Sequence, residues 1–314
     1  MQTRSKSSMA KVRVGVIGCG VMGSNHTRIA SEHKDAKLIG IFDQNPERAK
    51  EIAEKYKVTA FDSPESLFAE VDAAIIATPT STHLEVARLG LEKGKHLLVE
   101  KPLTLDSTST ELLATAATKA NKVLVVGMIE RFNPAFQKAK SIVKKDKILG
   151  IVIERFSPFP ERISDASVVW DMMIHDIDLA LSLNHSGVDS VKANGKKIKS
   201  DKIDEANCTI YFKDGTIAKI ASSRAKIDKY RHIQISTDRA IYDIDLLARK
   251  LYQREYETLI NKVEIEVNPG DQIELEQKDF YRAITEGREP KCPASQAIPV
   301  MKVAEEVEEK CLSR

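Results

Sequence analysis

Short, unbroken apolar runs recur through the first 127 residues: VRVGVIG at 12–18, KLIGIFD at 37–43, DAAIIA at 72–77, KHLLV at 95–99 and VLVV at 123–126. Between them, apolar positions fall at helical spacing over 21–32, from Pro46 onward, over 82–92 and over 107–120. Pro46 suits a first helical turn, where its missing N–H loses nothing. Continuous apolar strands alternating with helices predict a parallel sheet covered on both faces. Right-handed crossovers then lead to an open, doubly wound α/β sheet of the Rossmann type. After a helix expected at 133–145, the strand candidates lengthen and alternate: IVIERFS, VDSVKANG, NCTIYFKDG, TIAKIASSR and RHIQISTDRAIYDIDL. Residues 212–216, FKDGT, fit a hairpin turn between two of them. The pattern predicts a second α/β domain with a large, mainly antiparallel sheet. A helix at 170–183 interrupts that sheet, and two more, at 271–286 and 294–311, close the chain. The division expected is therefore 1–127, with 1–10 a flexible tail, and 128–314, with the last helices able to pack back on the first domain.

Composition narrows the function classes. A chain of 314 residues, 42% hydrophobic and 30% charged, can bury a core without metal or disulfide support. The 48 basic and 46 acidic side chains nearly cancel, which gives no electrostatic footprint for nucleic acid. No apolar stretch reaches the roughly 18 residues of a membrane span. The opening MQTRSKSSMAK is polar and lacks the apolar segment of a secretory signal. Cys19, Cys208, Cys292 and Cys311 lie far apart, with neither metal nor disulfide-framework spacing, so a reducing, cytoplasmic compartment is expected. One Trp and 5% aromatics speak against an aromatic platform for sugars.

The chemistry-bearing motifs fall at strand ends. Gly18-Cys19-Gly20-Val21-Met22-Gly23 closes the first strand and enters a helix. There Gly18 permits the tight turn, Gly20 lets backbone approach a pyrophosphate, and Gly23 lets helix and strand pack closely. The diphosphate would rest on the N–H groups of the helix start. Asp43 ends the second strand, where a carboxylate accepts both ribose hydroxyls of NAD and repels a 2′-phosphate. Arg48, five positions on, keeps NADP possible. Thr78-Pro79-Thr80 follows the next core strand and is expected to line the cofactor, and His26 and His83 are candidates to touch it.

Glu100-Lys101-Pro102 ends the fifth strand; Glu100 and Lys101 are expected to line the cofactor, and Lys101 lies toward the nicotinamide side, where lysine can bond a substrate oxygen or pass a proton. An ordinary surface lysine is the competing reading. Farther on, Asp171, His175 and Asp178 share one face of a very apolar helix at spacings i, i+4 and i+7. Buried polar groups there demand partners, which a bound substrate could supply, and histidine suits a general base for an alcohol. A purely structural network and a metal site are the alternatives; no cysteine or second histidine cluster accompanies the helix, and no metal is expected. Arg131, Asn133 and Arg162 are candidates to meet an anionic substrate group, with helix entry and surface loop as their plainer roles.

GVIGCGVMG, Asp43, ATPTSTHLEVA, VEKP and DMMIHDIDLAL together resemble the Gfo/Idh/MocA oxidoreductase family. The resemblance spans both domains. It implies a nicotinamide-dependent dehydrogenase in which Lys101 and His175 are catalytic and Asp171 binds substrate. It also implies a second-domain sheet that commonly mediates a homodimer or homotetramer. Family members often carry glycine two positions before the histidine; here that position is Met173. The stretches IERFNPAF and FSPFPERISDASVVWDMMIHDID are similar to the family's UDP-N-acetylglucosamine 3-dehydrogenase branch. That implies oxidation of a UDP-sugar hydroxyl, with an inositol or free-sugar dehydrogenase as the alternative. A non-catalytic NAD-binding regulator would be expected to lack Lys101 or His175, and both are present.

Overall fold

A computed structural model describes residues 11–160, 166–258 and 261–313 of the chain. The expected tail at 1–10 and the candidate Arg162 lie outside the described residues. The chain divides into two compact units: residues up to Gly127 with Ile273–Ala297, and Met128–Gln272 with the segment from Ile298 onward.

The first unit runs β1 (Val12–Ile17), α1 (Val21–Glu32), β2 (Ala36–Phe42), α2 (Pro46–Tyr56), β3 (Thr59–Ala60), α3 (Pro64–Glu70), β4 (Ala73–Ile76), α4 (Thr80–Glu92), β5 (His96–Glu100), α5 (Ser107–Lys119) and β6 (Leu124–Gly127). Its parallel sheet has the order β3-β2-β1-β4-β5-β6. Val14, Val16, Ile75, Ile76, Leu97 and Val99 are fully buried in it, as expected for strands covered on both faces. The order reverses between β1 and β4, which opens a crevice beyond the strand ends. β3 and α3 were not foreseen. β3 is two exposed residues long, and α3 begins on a Ser63 capping box and Pro64 rather than on a long apolar stripe.

The second unit contains α6 (Pro134–Val143), β7 (Ile148–Phe156), α7 (Ile174–Leu183), β8 (Val188–Lys196), β9 (Glu205–Phe212), β10 (Ile217–Ser223), β11 (Tyr230–Thr237), β12 (Ala240–Asp245), β13 (Lys250–Glu255) and β14 (Val263–Ile265). These strands form an eight-stranded sheet, β14-β13-β12-β11-β7-β10-β9-β8, antiparallel except where β7 meets β10. Gly215, at φ +88°, makes the turn between β9 and β10. The long run at 231–246 is two strands: Thr237 Oγ1 accepts from the N–H groups of Arg239 and Ala240 and folds the chain back. The helix expected over 170–183 also differs. It opens as a π-helical turn, Val169–Met173, before α7 begins.

The chain ends in α8 (Gln272–Glu286) and α9 (Ala294–Leu312). Residues 273–297, part of the last helices that were expected to be able to pack back on the first domain, fall in the first unit. Gln277 donates to the His26 carbonyl at 3.0 Å, the Tyr281 ring meets His33 edge-on, and Val126 N–H donates to Cys292 O. Among the described residues no helix is long and apolar enough to cross a membrane.

Candidate active site and dinucleotide groove

The glycine turn shows why its residues must be small. Gly18 has φ +92°, and a Cβ on it would lie 2.6 Å from Ala77 O. A Cβ on Gly23 would lie 1.7 Å from Gly18 O, so α1 could not cross β1 this closely with any side chain there. Around Gly20 no protein atom comes within 4 Å of such a Cβ. Gly20 is also the N-cap of α1 and offers no side-chain cap. The first N–H groups of α1 thus face an open cradle of the kind a diphosphate fills.

A groove of about 1170 Å³ extends from this turn. Gly18, Gly20, Val21 and Met22 form one stretch of its wall, Asp43 and Arg48 another, and Thr78, Pro79, Glu100 and Lys101 a third. Asp43 is held firmly: Oδ2 accepts from Cys19 N–H at 2.6 Å and Oδ1 from Asn45 N–H at 2.8 Å. Burial, and next the Asp43 carboxylate, push the Cys19 thiol up to about 12, which leaves no nucleophile in the glycine loop. Thr82 bonds to Thr78 Oγ1 at 2.8 Å and to Pro79 O, which fixes the loop after β4.

His83 and His26, expected near the cofactor, are both buried and bonded to protein groups. The His83 ring is 1% exposed and spans the carbonyls of Thr78 and Pro102, tying the loop after β4 to the loop after β5. His26 is fully buried between Glu100 and Gln277. Lys101 is half-buried at the end of β5, and its N–H donates to Glu100 Oε2 at 3.2 Å.

In the second unit, Asp171 lies in the π turn and His175 in the first turn of α7, both half-buried. A π turn rotates less per residue than an α turn, so Asp171 departs from the simple i, i+4 stripe; such insertions recur at functional sites. Asp178 receives both Nε and Nη2 of Arg131 in a buried bidentate pair. Arg131 is therefore an anchor of α7, not a free charge for an anionic ligand. Asn133 is likewise committed. It is fully buried, its Nδ2 donates to Leu246 O at 2.9 Å, and its Oδ1 caps α6 through Ala135 N–H.

Sequence reasoning missed a second anchor. Asp176, beside His175, accepts from Arg155 Nε at 2.8 and 3.0 Å and from Ser222 Oγ at 3.3 Å. Arg155 also donates to Glu130, which accepts from Arg231 and Gln272 as well. Burial opposes the Glu130 charge, yet Arg155 and Arg231 bring its carboxyl below the ordinary range. A signal for this cluster was available: Arg155 shares the inward register of Ile151 and Ile153, and a charge at a core position requires a counter-charge.

Comparison with known proteins agrees with this fold. Residues 12–128 match the model of an oxidoreductase family with an NAD-binding Rossmann fold, and residues 154–243 match the GFO/IDH/MocA C-terminal domain. The chain is 35% identical to UDP-N-acetylglucosamine 3-dehydrogenase of Acidithiobacillus ferrooxidans, over 90% of this chain and 92% of that protein. A solved structure of that enzyme superposes with a TM-score of 0.92 at 33% identity, covering 97% of this chain and 99% of that one. Myo-inositol 2-dehydrogenase of Thermotoga maritima is 31% identical over 70% of each chain.

Proposed function

Because this chain belongs to the Gfo/Idh/MocA oxidoreductase family, we propose that it oxidises the 3-hydroxyl of UDP-N-acetylglucosamine or a closely related UDP-sugar, using NAD. The chain is a nicotinamide-dinucleotide-binding sugar dehydrogenase. The observation that carries the substrate is the length of the likeness: 92% of the Acidithiobacillus enzyme is matched, against 70% of the Thermotoga inositol dehydrogenase. The inositol enzyme supplies the second reading.

The α1 N-terminus and Asp43 would hold the dinucleotide, which when bound supplies the acceptor for the hydrogen and electron pair. Lys101, as an ammonium, donates to the substrate hydroxyl oxygen and stabilises negative charge developing there. His175 takes the hydroxyl proton, with Asp171 bonding the sugar. Arg131 and Arg155 act indirectly by fixing α7 through Asp178 and Asp176. Assembly into two or four copies, and work in the cytoplasm, belong to the same reading.

The substrate test is reduction of NAD by purified protein with UDP-N-acetylglucosamine, UDP-glucose, myo-inositol, glucose or no sugar, repeated with NADP. Turnover confined to the free polyols would overturn the UDP-sugar reading.

Cofactor choice depends on Asp43. Asp43→Ala removes a charged acceptor from the ribose and leaves Arg48, on the same groove wall, to meet a 2′-phosphate. NAD affinity is expected to fall about ten- to hundredfold, with NADP losing much less. Equal losses for both dinucleotides would show that the carboxylate does not choose between them.

A further inference from the structure

We propose that Glu100 makes the groove discriminate between redox states of its dinucleotide, favouring the oxidised, cationic nicotinamide ring over the reduced, neutral one. This rests on the dinucleotide reading above and not on which sugar is oxidised.

Placement comes first. In a doubly wound sheet the two halves of a dinucleotide lie on opposite sides of the strand-order reversal. Here that reversal falls between β1 and β4. Asp43, after β2, lies on the ribose-binding side; Glu100, at the end of β5, lies on the other. Both line the same groove. Glu100 thus belongs to the nicotinamide half.

The carboxylate is also fixed. Glu100 is 8% exposed, with Oε1 at 2.8 Å from His26 Nε2 and Oε2 accepting from Lys101 N–H at 3.2 Å. The bonds around His26 assign its tautomer. Tyr281 O–H donates to Gln277 Oε1, so Gln277 Nε2 is the donor facing both His26 O and His26 Nδ1. Nδ1 must therefore accept, and Nε2 carries the hydrogen that it donates to Glu100. Turning the Gln277 amide over would set its oxygen against the His26 carbonyl, which the network forbids.

A second acid shows where the charge resides. Glu276, on α8, is fully buried, and neither of its carboxyl oxygens meets a donor. Burial, then the nearby Glu100 and Asp279 carboxylates, push its carboxyl well above the ordinary range. Two neighbouring buried acids with one set of donors divide the roles. Both Glu100 oxygens face N–H donors, a setting that suits a carboxylate's charge, while neither Glu276 oxygen does. That charge attracts the ring only in its oxidised form. The diphosphate and adenosine are common to both forms and cancel in the comparison.

A residue that merely held the end of β5 would affect both redox forms alike, so the test reads the ratio of their dissociation constants on the full-length protein. Glu100→Gln is expected to shift the NAD/NADH ratio about tenfold toward NADH, the order of one unit charge several ångströms away in a partly screened groove. Glu100→Asp retains the charge and should keep the ratio within about twofold even if both affinities fall. Glu276→Gln replaces a neutral acid with a neutral amide and should leave the ratio unchanged. In the unchanged protein, preference for NAD should shrink as salt rises from about 50 to about 500 mM. Equal loss of both forms in Glu100→Gln, a shift of similar size in Glu276→Gln, or a ratio indifferent to salt would each overturn the proposal. An unchanged protein that binds neither dinucleotide would remove the cofactor reading itself and this inference with it.

Discussion

Lys101→Met and His175→Ala are each expected to lower turnover at least about a hundredfold while leaving the fold and dinucleotide affinity near those of the unchanged protein. Acid–base groups contribute on this order. The two side chains suit such a role differently. Lys101 follows a strand whose preceding residues, Leu97, Leu98 and Val99, are fully buried, so its backbone is rigid and its ammonium is delivered to the groove wall. His175 rides on a helix pinned just after it in sequence by two buried ion pairs, through Asp176 and Asp178. Both side chains are half-buried rather than part of the core, which is why truncation should spare stability. Lys101→Arg separates charge from shape: if it restores little, the size and position of the donor matter as well as its charge. Steady-state rates with saturating NAD, set beside NADH titrations and thermal melts, check the expectation. Near-normal turnover in both variants would sink the assignment.

Much of this site was legible because its residues occupy strand ends. A glycine turn after β1, an acid after β2 and EKP after β5 are local in sequence, and the parallel-strand pattern alone places them at one end of one sheet. What the sequence hid was long-range pairing. Arg131, Asn133 and Asp178 carry the polar groups a ligand would want, and each is instead satisfied by another part of the chain. Only tertiary contact decides between those uses. The π turn was hidden for a related reason: helical periodicity assumes a fixed rotation per residue, and WDMM is apolar enough to fit either geometry. The membership of 273–297 in the first unit depends on Gln277 and Tyr281 meeting α1, partners some 250 positions away, as with Gln277 and His26. β13 was missed because its residues are mostly polar, and β14 because it is only three residues long at the sheet edge.

Arg155→Met is expected to destabilise the protein by about 3–5 kcal/mol, the range found when one partner of a buried ion pair is removed. The consequence follows from what remains. Asp176 is fully buried and would keep only the Ser222 hydroxyl, at 3.3 Å. Glu130 would retain Arg231 and Gln272. The uncompensated Asp176 carboxylate lies directly beside His175 in sequence, so the lost anchor should also lower kcat more than it raises the substrate KM. Arg155→Met with Asp176→Leu removes both charges and should recover a large part of the lost stability, because neither ion is then left buried alone. The pH dependence has a definite sign. Glu130 has a folded-state pKa below its unfolded value, so its ionised pairing stabilises the fold above the ordinary carboxylate range. That contribution is lost as pH falls through the lowered folded value. Arg155→Met removes one of the two cations responsible, so the variant should lose less stability than the unchanged protein on acidification. Urea unfolding from neutral pH down through the carboxylate range measures both effects. A loss below about 1 kcal/mol at neutral pH, with unaltered acid sensitivity, would mean that the Arg155 cluster does not hold α7 in place.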